Sequence, residues 1–452
     1  MNKPMDDWAN AETRVERAHD LYEQGRWPEA AAELKAAIEI NPYNASWYFN
    51  LGLTLEAMED FARACEAFRG ALELEPDDLE TLNCLGVNLT RERRHGQALA
   101  QFERASQIDP AYEPAYCNRI VTYTEMGRHD QAETMFYLAR QVKDDCALCY
   151  YNIGNSFFAR GQYDQAIQCW RQTIRLEPAH PQVNSRIAEA CWVKGDLRGA
   201  RWHYQAELHR DGEDVETLLD LGELLLEMGD LTGAEAKFRK VQEISPDNPS
   251  AHFCTGLLEI NRNRLAKAEQ EFRMVLRIDA EYPGAHAKLA WLMMRRGNVQ
   301  TAARHVIAEL KRSGDDVRML DELGHILLEG HLIRHANTVL RRLVELSPED
   351  PYAQHNLAVS FFKMHRLDEG IRHCRKAIKL KPEYPIALYN LALAHLKRGQ
   401  VPRARRYVAK ALIVAPRDEN IRRLADRLTK QGFWAHLRET LSHLHLPKWT
   451  KH

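Results

Sequence analysis

The sequence predicts an all-α solenoid built from about twelve helical hairpins. Three observations predict it: a 34-residue internal repeat, columns of very small residues within that repeat, and glycine and proline between the helical segments. The segment SWYFNLGLTLEAMEDFARACEAFRGALELEP recurs 102 residues later as LCYYNIGNSFFARGQYDQAIQCWRQTIRLEP. Twelve consecutive repeats cover residues 11–418 without an insertion or a deletion.

The small residues indicate where the two helices of a repeat cross. Position 20 is alanine in eleven of the twelve repeats, and position 8 is glycine or alanine in eleven. Side chains of this size allow two helices to approach closely. Position 24 is aromatic in seven repeats, from Phe68 to Phe272, and is predicted to fill the space between the helices. Between these positions, apolar residues such as Leu218, Leu221 and Leu225 follow helical spacing.

Glycine, proline and short polar residues mark the helix ends. Position 15 is glycine in seven repeats, which suits the left-handed residue that ends a helix. Position 32 is proline in eight repeats and is predicted to end the second helix. Position 34 is asparagine or aspartate in seven repeats, and either side chain can cap the next helix.

This combination of positions resembles the tetratricopeptide repeat, over about 90% of the chain. The resemblance implies a right-handed superhelix in which the first helix of each repeat lines a concave surface. Repeats six and nine depart from the pattern, with Glu207 and Glu309 at position 27 and Gly212 and Gly314 at position 32. Their 102-residue separation indicates either a three-repeat duplication or two local changes of superhelix curvature.

The ends of the chain lie outside the repeats. Residues 1–10 are predicted to form a short extension, residues 419–446 capping helices, and residues 447–452 a tail. A repeat stack must cover its last apolar face, and two apolar stripes can do so. They consist of Ile421, Leu424 and Leu428, and of Leu437, Leu441 and Leu444.

Composition excludes several classes of protein. Of the 452 residues, 45% are hydrophobic and 28% are charged, which excludes wholesale disorder. No apolar run is long enough to cross a membrane, and the acidic N-terminus lacks the apolar core of a secretory signal. Nine scattered cysteines favour reduced thiols over a disulfide framework. We therefore expect a cytoplasmic protein.

Little sequence remains for catalysis, so we expect no enzyme activity and no cofactor. The strongest chemical candidate is the pair Cys146 and Cys149, spaced as CxxC. A zinc site calls for a second such pair or a histidine pair at a fitting spacing, and a redox motif calls for a βαβ context. Neither is present, so ordinary packing is the favoured interpretation. A metal or redox protein using this pair is kept as an alternative.

The resemblance places positions 2, 5, 6, 9, 12 and 13 on the concave surface. Position 6 is asparagine in five repeats, and an amide can pair with the backbone of an extended peptide as donor and as acceptor. In this respect two stretches of the chain resemble the repeat superhelix of O-GlcNAc transferases. Other residues interrupt the column at Cys84, Arg186, Asp220, Cys254, Lys288 and Glu322. The predicted peptide-binding residues are Asn50, Asn118, Tyr151, Asn152, Asn155, Arg186, Phe253, Leu257, Trp291, Asn356 and Asn390.

Charge is distributed unevenly along the chain. Residues 1–80 carry 7 Lys or Arg and 18 Asp or Glu, whereas residues 351–452 carry 21 and 7. The basic end, with Trp434 and Trp449, could contact nucleic acid or an acidic membrane surface. Most of its charges fall on second helices, which favours a solvated face instead. A further alternative is self-association, with the acidic end of one molecule against the basic end of another.

Together these observations predict a non-catalytic scaffold. Its partner would be a protein, bound through a peptide segment or a helix in the concave groove. The open alternatives are the self-assembling scaffold and the metal or redox protein.

Overall fold

The computed structural model describes residues 3–429, with side chains from residue 10 to residue 428. All regular structure in this range is helical, which confirms the predicted all-α class. None of the described helices is both long enough and apolar enough to span a bilayer. The helices are α1 Lys3–Glu23, α2 Trp27–Ile40, α3 Ala45–Ala57, α4 Phe61–Leu74, α5 Leu79–Arg91, α6 His95–Ile108, α7 Glu113–Glu125, α8 His129–Val142, α9 Ala147–Ala159, α10 Tyr163–Leu176, α11 Val183–Val193, α12 Leu197–Arg210, α13 Val215–Glu227, α14 Leu231–Ile244, α15 Pro249–Asn261, α16 Leu265–Ile278, α17 Ala285–Arg295, α18 Val299–Ser313, α19 Val317–Glu329, α20 Ile333–Leu346, α21 Pro351–Lys363, α22 Leu367–Leu380, α23 Pro385–Lys397, α24 Val401–Val414 and α25 Glu419–Thr429.

The chain divides into two compact units, an amino-terminal unit of Met1–Asp230 and a carboxy-terminal unit of Leu231–His452. Within each unit, consecutive helices pair as hairpins, such as α3 with α4 and α21 with α22. The second helix of a hairpin also packs on the first helix of the next, as α4 does on α5. Each unit is therefore a stack of hairpins that contact their neighbours in chain order.

The columns of small residues lie where the two helices of a hairpin meet. All eleven alanines at position 20 are fully buried, among them Ala30 and Ala64. Four glycines at position 8 face the ring at position 24 of the same repeat, whereas Gly324 faces Leu340. A Cβ atom added to Gly52 would lie 2.5 Å from the Phe68 ring, and one added to Gly154 would lie 2.5 Å from Nε1 of Trp170. Glycine is thus required there because the ring occupies the space of a side chain.

Position 15 adopts the left-handed conformation whether or not it is glycine. Gly127 has a φ of 68°, and Arg93, at the same position of another repeat, has a φ of 57°. Position 34 caps the following helix as predicted: the Asn44 side chain accepts a hydrogen bond from the Trp47 amide, and Asp78 accepts one from Thr81. Local backbone chemistry therefore fixes both ends of the first helix in most repeats.

The last described helix, α25, buries one predicted stripe. Ile421, Leu424 and Leu428 pack in one cluster with Leu393 and Val408 of the preceding hairpin. The second predicted stripe, formed by Leu437, Leu441 and Leu444, lies outside the described residues, as do Trp434 and Trp449. At the other end, α1 begins at Lys3, so residues 3–10 of the predicted extension continue the first helix of the repeats.

Candidate functional site

The predicted peptide-binding residues lie on first helices of the hairpins, but they differ in exposure. Asn50 and Arg186 are exposed to solvent. The half-buried ones are Asn118, Tyr151, Asn155, Phe253, Leu257 and Trp291. The buried ones are Asn152, Asn356 and Asn390. The residues up to Arg186 belong to the amino-terminal unit and the others to the carboxy-terminal unit.

Four asparagines at position 6 donate an inter-repeat hydrogen bond with the same offset, although the acceptor group differs. Each side-chain amide donates to the residue 35 positions earlier, which is position 5 of the preceding repeat. Asn118 donates to Oδ1 of Asn83 over 2.7 Å, and Asn152 donates to the Cys117 carbonyl over 3.5 Å. In the carboxy-terminal unit, Asn356 donates to Asp321 and Asn390 donates to Nε2 of His355, over 3.2 and 2.9 Å. We call this set the asparagine ladder.

The ladder reduces the number of hydrogen-bond donors that these asparagines have free for a bound peptide, which we call the guest. An amide group carries two N–H donors and one acceptor oxygen, and each ladder amide uses at least one donor inside the protein. Within the described residues, Oδ1 of Asn356 and of Asn390 are buried and accept no hydrogen bond. The sequence predicts both functions to be available, whereas in the structure each ladder amide uses a donor internally and the acceptors of Asn356 and Asn390 are buried.

The asparagines of α21 and α23 lie in an unusually buried stretch. All residues from Ala353 to Phe362 are buried, including the polar groups of His355 and Asn356. Burial lowers the pKa of His355 to about 4 because imidazolium loses its hydration, and nearby His325 lowers it further. Tyr384 lies 3.3 Å from Nδ1 of the same imidazole. The first helices of this part of the chain therefore carry a neutral buried polar network.

The predicted apolar lining is partly used for packing between helices. Phe253 contacts the rings of Phe272 and Tyr282, with centroids 5.4 and 5.2 Å apart. Trp291 lies under the guanidinium of Arg295, 4.6 Å from its ring centroid. Since these side chains remain half-buried, each keeps part of its apolar surface open beside the packed part.

Charged residues interrupt the asparagine column in two ways. Lys288 and Glu322, both at position 6, form an ion pair across neighbouring repeats with 2.7 Å between Nζ and Oε1. Asp220 lies at position 6 of α13, where burial raises its pKa to about 7 and the neighbouring carboxylates of Glu223 and Glu216 add to the effect. The surface of the first helices is therefore not chemically uniform along the chain.

Two buried glutamates replace missing helix caps. Glu207 accepts hydrogen bonds from the amides of Gln182 and Asn184, at 3.1 and 3.2 Å, at the start of α11. Glu309 does the same for Gly284 and Ala287 at the start of α17, at 3.2 and 3.3 Å. Position 34 before these helices is His180 or Tyr282, neither of which caps. The departures noted in repeats six and nine are thus one capping arrangement, used twice.

Each of these carboxylates is fully buried and paired with a nearby arginine. Arg312 approaches Glu309 to 2.6 Å, and Arg210 approaches Glu207 to 2.5 Å. The residues before both helices are left-handed, with φ of 62° at Gln182 and 80° at Gly284, and both helices begin later than in other repeats. The sequence contains a signal for this capping arrangement. The glutamate, the arginine three residues later and the glycine at position 32 recur together 102 residues apart.

The sequence offers no second CxxC or histidine pair for Cys146 and Cys149, but the structure brings single residues of the preceding repeat beside them. Cys117 and Glu113 of α7 lie beside them, and one ligand atom of each of the four residues lies within 4.8 Å of the others. Cys117 and Cys149 are joined by a disulfide, so the expectation of reduced thiols is wrong for this pair, while the other seven cysteines, all within the described range, form no disulfide. Burial and the Glu113 carboxylate raise the pKa of the Cys146 thiol to about 12. Sequence analysis missed this cluster because its members come from adjacent repeats.

The basic residues of the carboxy-terminal unit form a solvated surface. Side chains such as Arg372, Lys376 and Arg406 are exposed on second helices, as predicted. Arg405 differs, since its Nε donates to the Leu428 carbonyl over 3.0 Å at the end of α25. These exposed cations lie on α22 and α24.

Family models of the tetratricopeptide repeat match residues 18–59, 45–78, 147–180, 194–249, 219–286 and 361–428. The chain therefore belongs to the tetratricopeptide repeat proteins, which confirms the resemblance inferred from its sequence. A search of curated proteins gave no significant match.

Several solved structures are similar to this chain. The APC/C hetero-tetramer Cut9–Hcn1 is 14% identical, with 94% of this chain and 98% of that chain covered and a TM-score of 0.46. Yeast Tom70 is 15% identical, with 92% and 95% covered and a TM-score of 0.45. MamA is 20% identical, with 37% and 92% covered and a TM-score of 0.34.

Proposed function

We propose that this protein is a non-catalytic scaffold that binds an extended peptide segment of a partner protein along its first helices. Stacked helical repeats present long continuous surfaces, which suits the recognition of a segment rather than of a small molecule. The observation that carries the proposal is the asparagine column at position 6, of which Asn50 and Asn118 are accessible to a bound peptide. The other predicted residues, among them Tyr151, Phe253 and Leu257, would contact apolar side chains of the guest.

The proposed contact is a hydrogen bond from a guest backbone N–H to an asparagine carbonyl. In the amino-terminal unit, the amide of Asn118 donates to Asn83, while its Oδ1 accepts no hydrogen bond from the described residues. Asn118 is half-buried and Asn50 is exposed, so both can be reached by a guest. A backbone partner is favoured because peptide N–H groups recur along any extended sequence.

Two substitutions of Asn118 test this directly. Asn118→Ala removes the acceptor and is expected to weaken a bound peptide about fivefold, the equivalent of about 1 kcal/mol for one hydrogen bond. Asn118→Asp keeps an acceptor, and Asn83 can turn its amide to donate to it, so affinity should be retained. A peptide selected from a display library against the full chain serves as the probe, with affinity measured by fluorescence anisotropy.

The same peptide provides a second control through its backbone. Replacing its amide protons by methyl groups, one position at a time, should weaken binding at the positions that contact asparagines. Asn83→Ala removes the inter-repeat bond but leaves the Asn118 carbonyl in place. Equal losses in Asn83→Ala and Asn118→Ala, with no effect of methylation, would mean that the ladder acts only in folding.

Charge favours a second candidate function, self-association. Exposed Glu12, Glu16 and Glu23 lie on α1, whereas exposed Arg372, Arg375 and other cations lie on second helices of the carboxy-terminal unit. Attraction between such surfaces is screened over about 8 Å at physiological ionic strength. Light scattering should then detect oligomers at low salt that dissociate at high salt, and a monomer under both conditions would exclude this function.

A further inference from the structure

Three cysteines and one glutamate meet between two adjacent first helices. Glu113 and Cys117 lie one turn apart on α7, Cys146 is the N-cap of α9, and Cys149 lies in the first turn of α9. Sγ of Cys117 lies 3.5 Å from Sγ of Cys146 and 3.5 Å from Oε1 of Glu113. We call these four residues the cysteine cluster.

The distances within the cluster are close to those of a tetrahedral metal site. With zinc–sulfur bonds of about 2.3 Å, neighbouring ligand atoms of a tetrahedron are about 3.8 Å apart. The contacts of Cys117 with Cys146 and Glu113 lie slightly below that value, and every pair of ligand atoms lies within 4.8 Å. Small side-chain rotations would therefore place all four atoms around one ion.

The surroundings of the cluster suit a bound cation with thiolate ligands. The three cysteines are at most 3% exposed, so a metal between them would be shielded from water. The Cys149 amide donates to Sγ of Cys146 over 2.9 Å, and this bond and the positive end of α9 partly offset burial, which disfavours negative charge on the sulfur until a cation is bound. Nζ of Lys143 lies 3.4 Å from Glu113, where it offsets part of the negative charge of four anionic ligands.

We propose that, in its reduced state, the protein binds one Zn²⁺ through Cys117, Cys146, Cys149 and Glu113. Thiolate ligands select soft or borderline metals, and four protein ligands make a closed tetrahedral site of the structural kind. The ion fastens α7 to α9, and its binding displaces the thiol protons into solvent. This site does not depend on the proposed peptide binding.

Zinc binding and the disulfide exclude each other. The sulfurs of Cys117 and Cys149 are bonded to one another in the structure, and two sulfurs joined in this way are no longer thiolate ligands. Reduction by a phosphine breaks this bond with two electrons, the two sulfurs become thiols, and the phosphine is oxidised to its oxide with oxygen from water. The metal site then forms from the resulting thiols together with Cys146, which carries no disulfide.

The test uses the full chain, reduced with a phosphine under anaerobic conditions and stripped of metal by a chelator. Titration with Co²⁺ should give the visible absorption bands of a tetrahedral thiolate complex and saturate at one equivalent. Zn²⁺ should displace the Co²⁺ and abolish these bands. Absence of such bands in the reduced wild type would overturn the proposal, and so would equally strong binding by the oxidised protein.

Variants then assign the ligands. Cys146→Ser leaves the disulfide partners in place and should weaken Zn²⁺ binding by about tenfold or more in competition with a chromophoric chelator. Glu113→Gln should weaken binding as well, whereas Cys169→Ser, a half-buried cysteine of α10, is the matched control and should bind like the wild type. Circular dichroism verifies that each variant is helical. Unchanged affinity in Cys146→Ser or Glu113→Gln would contradict the four-ligand site.

Discussion

The amide of Asn390 donates a hydrogen bond to Nε2 of His355, 35 residues earlier in the chain, over 2.9 Å. Because an amide nitrogen can only donate, this ring nitrogen accepts, and the proton of the neutral imidazole is placed on Nδ1, which faces the Tyr384 hydroxyl. In this arrangement of the Asn390 amide, the imidazole accepts the inter-repeat hydrogen bond only while it is neutral. This dependence leads to the first prediction.

We expect the carboxy-terminal unit to lose stability in mild acid. The pKa of His355 is lowered to about 4 by burial, whereas an unfolded histidine titrates near 6.5. The unfolded chain therefore binds a proton between these values that the folded chain does not. The stabilisation is complete above about pH 6.5 and is lost as the pH falls toward 4, by an amount on the order of 3 kcal/mol.

Urea unfolding between pH 4 and 7.5 measures this effect. His355→Gln retains a polar group but removes the titration, so its unfolding free energy should depend less on pH in that range. His209→Gln, at an exposed position of α12, is the control and should keep the wild-type slope. Identical slopes for all three proteins would refute the role of His355.

Removing a buried cap should destabilise the amino-terminal unit. Glu207→Gln abolishes the charge that pairs with Arg210 and weakens the hydrogen bonds to the amides of Gln182 and Asn184. Because Glu207 is buried while Arg210 is partly exposed, the expected cost is that of weakened buried hydrogen bonds, about 1–3 kcal/mol. Chemical denaturation followed by circular dichroism should show the loss, while the exposed Glu213→Gln should change stability by less than about 0.5 kcal/mol.

A methyl group should not be tolerated at Gly154. The added Cβ would lie 2.5 Å from Nε1 of Trp170, a group that donates to the Tyr151 carbonyl over 3.2 Å. Such overpacking costs about 1–3 kcal/mol. Gly96→Ala provides the comparison: no atom would lie within 4 Å of its Cβ, so helix propensity should leave it neutral or stabilising. Equal thermal midpoints for the two variants would contradict this account.

Glycine should stabilise a repeat that lacks it at position 15. Arg93 is left-handed, with a φ of 57°, a conformation that costs a side-chain-bearing residue about 1 kcal/mol. Arg93→Gly relieves this cost but raises the conformational entropy of the unfolded chain. We therefore expect the free energy of unfolding, measured in urea, to rise by about 0.5 kcal/mol. Gly127→Ala is the reciprocal change and should destabilise, and a loss of stability in Arg93→Gly would show that its side chain matters more than its backbone.

The fold could be predicted from the sequence because its determinants are local to one repeat. Position 20 is buried against the partner helix, position 15 ends the first helix, and position 34 caps the next. Each of these roles depends on residues less than 34 positions apart, and twelve copies display the same pattern. The twelve copies therefore reveal the structural role of each position within a single sequence.

The candidate site was less predictable because its polar groups interact across repeats. The sequence assigned both donor and acceptor of Asn118 and Asn390 to a guest, but it does not show that position 5 of the preceding repeat receives one donor. Cys117 was likewise missed, since 29 and 32 residues separate it from the CxxC pair and no metal-binding motif has that spacing. In both cases the contacting residues belong to neighbouring hairpins, so their contact depends on how those hairpins stack on one another.

The asparagine ladder has a consequence for how damage spreads through the molecule. Every ladder bond reaches back to the immediately preceding repeat and no further. Opening one hairpin therefore removes support from its two neighbours alone, and more distant hairpins keep all of their bonds. Each stack can therefore unfold locally at one hairpin while the remaining hairpins stay folded.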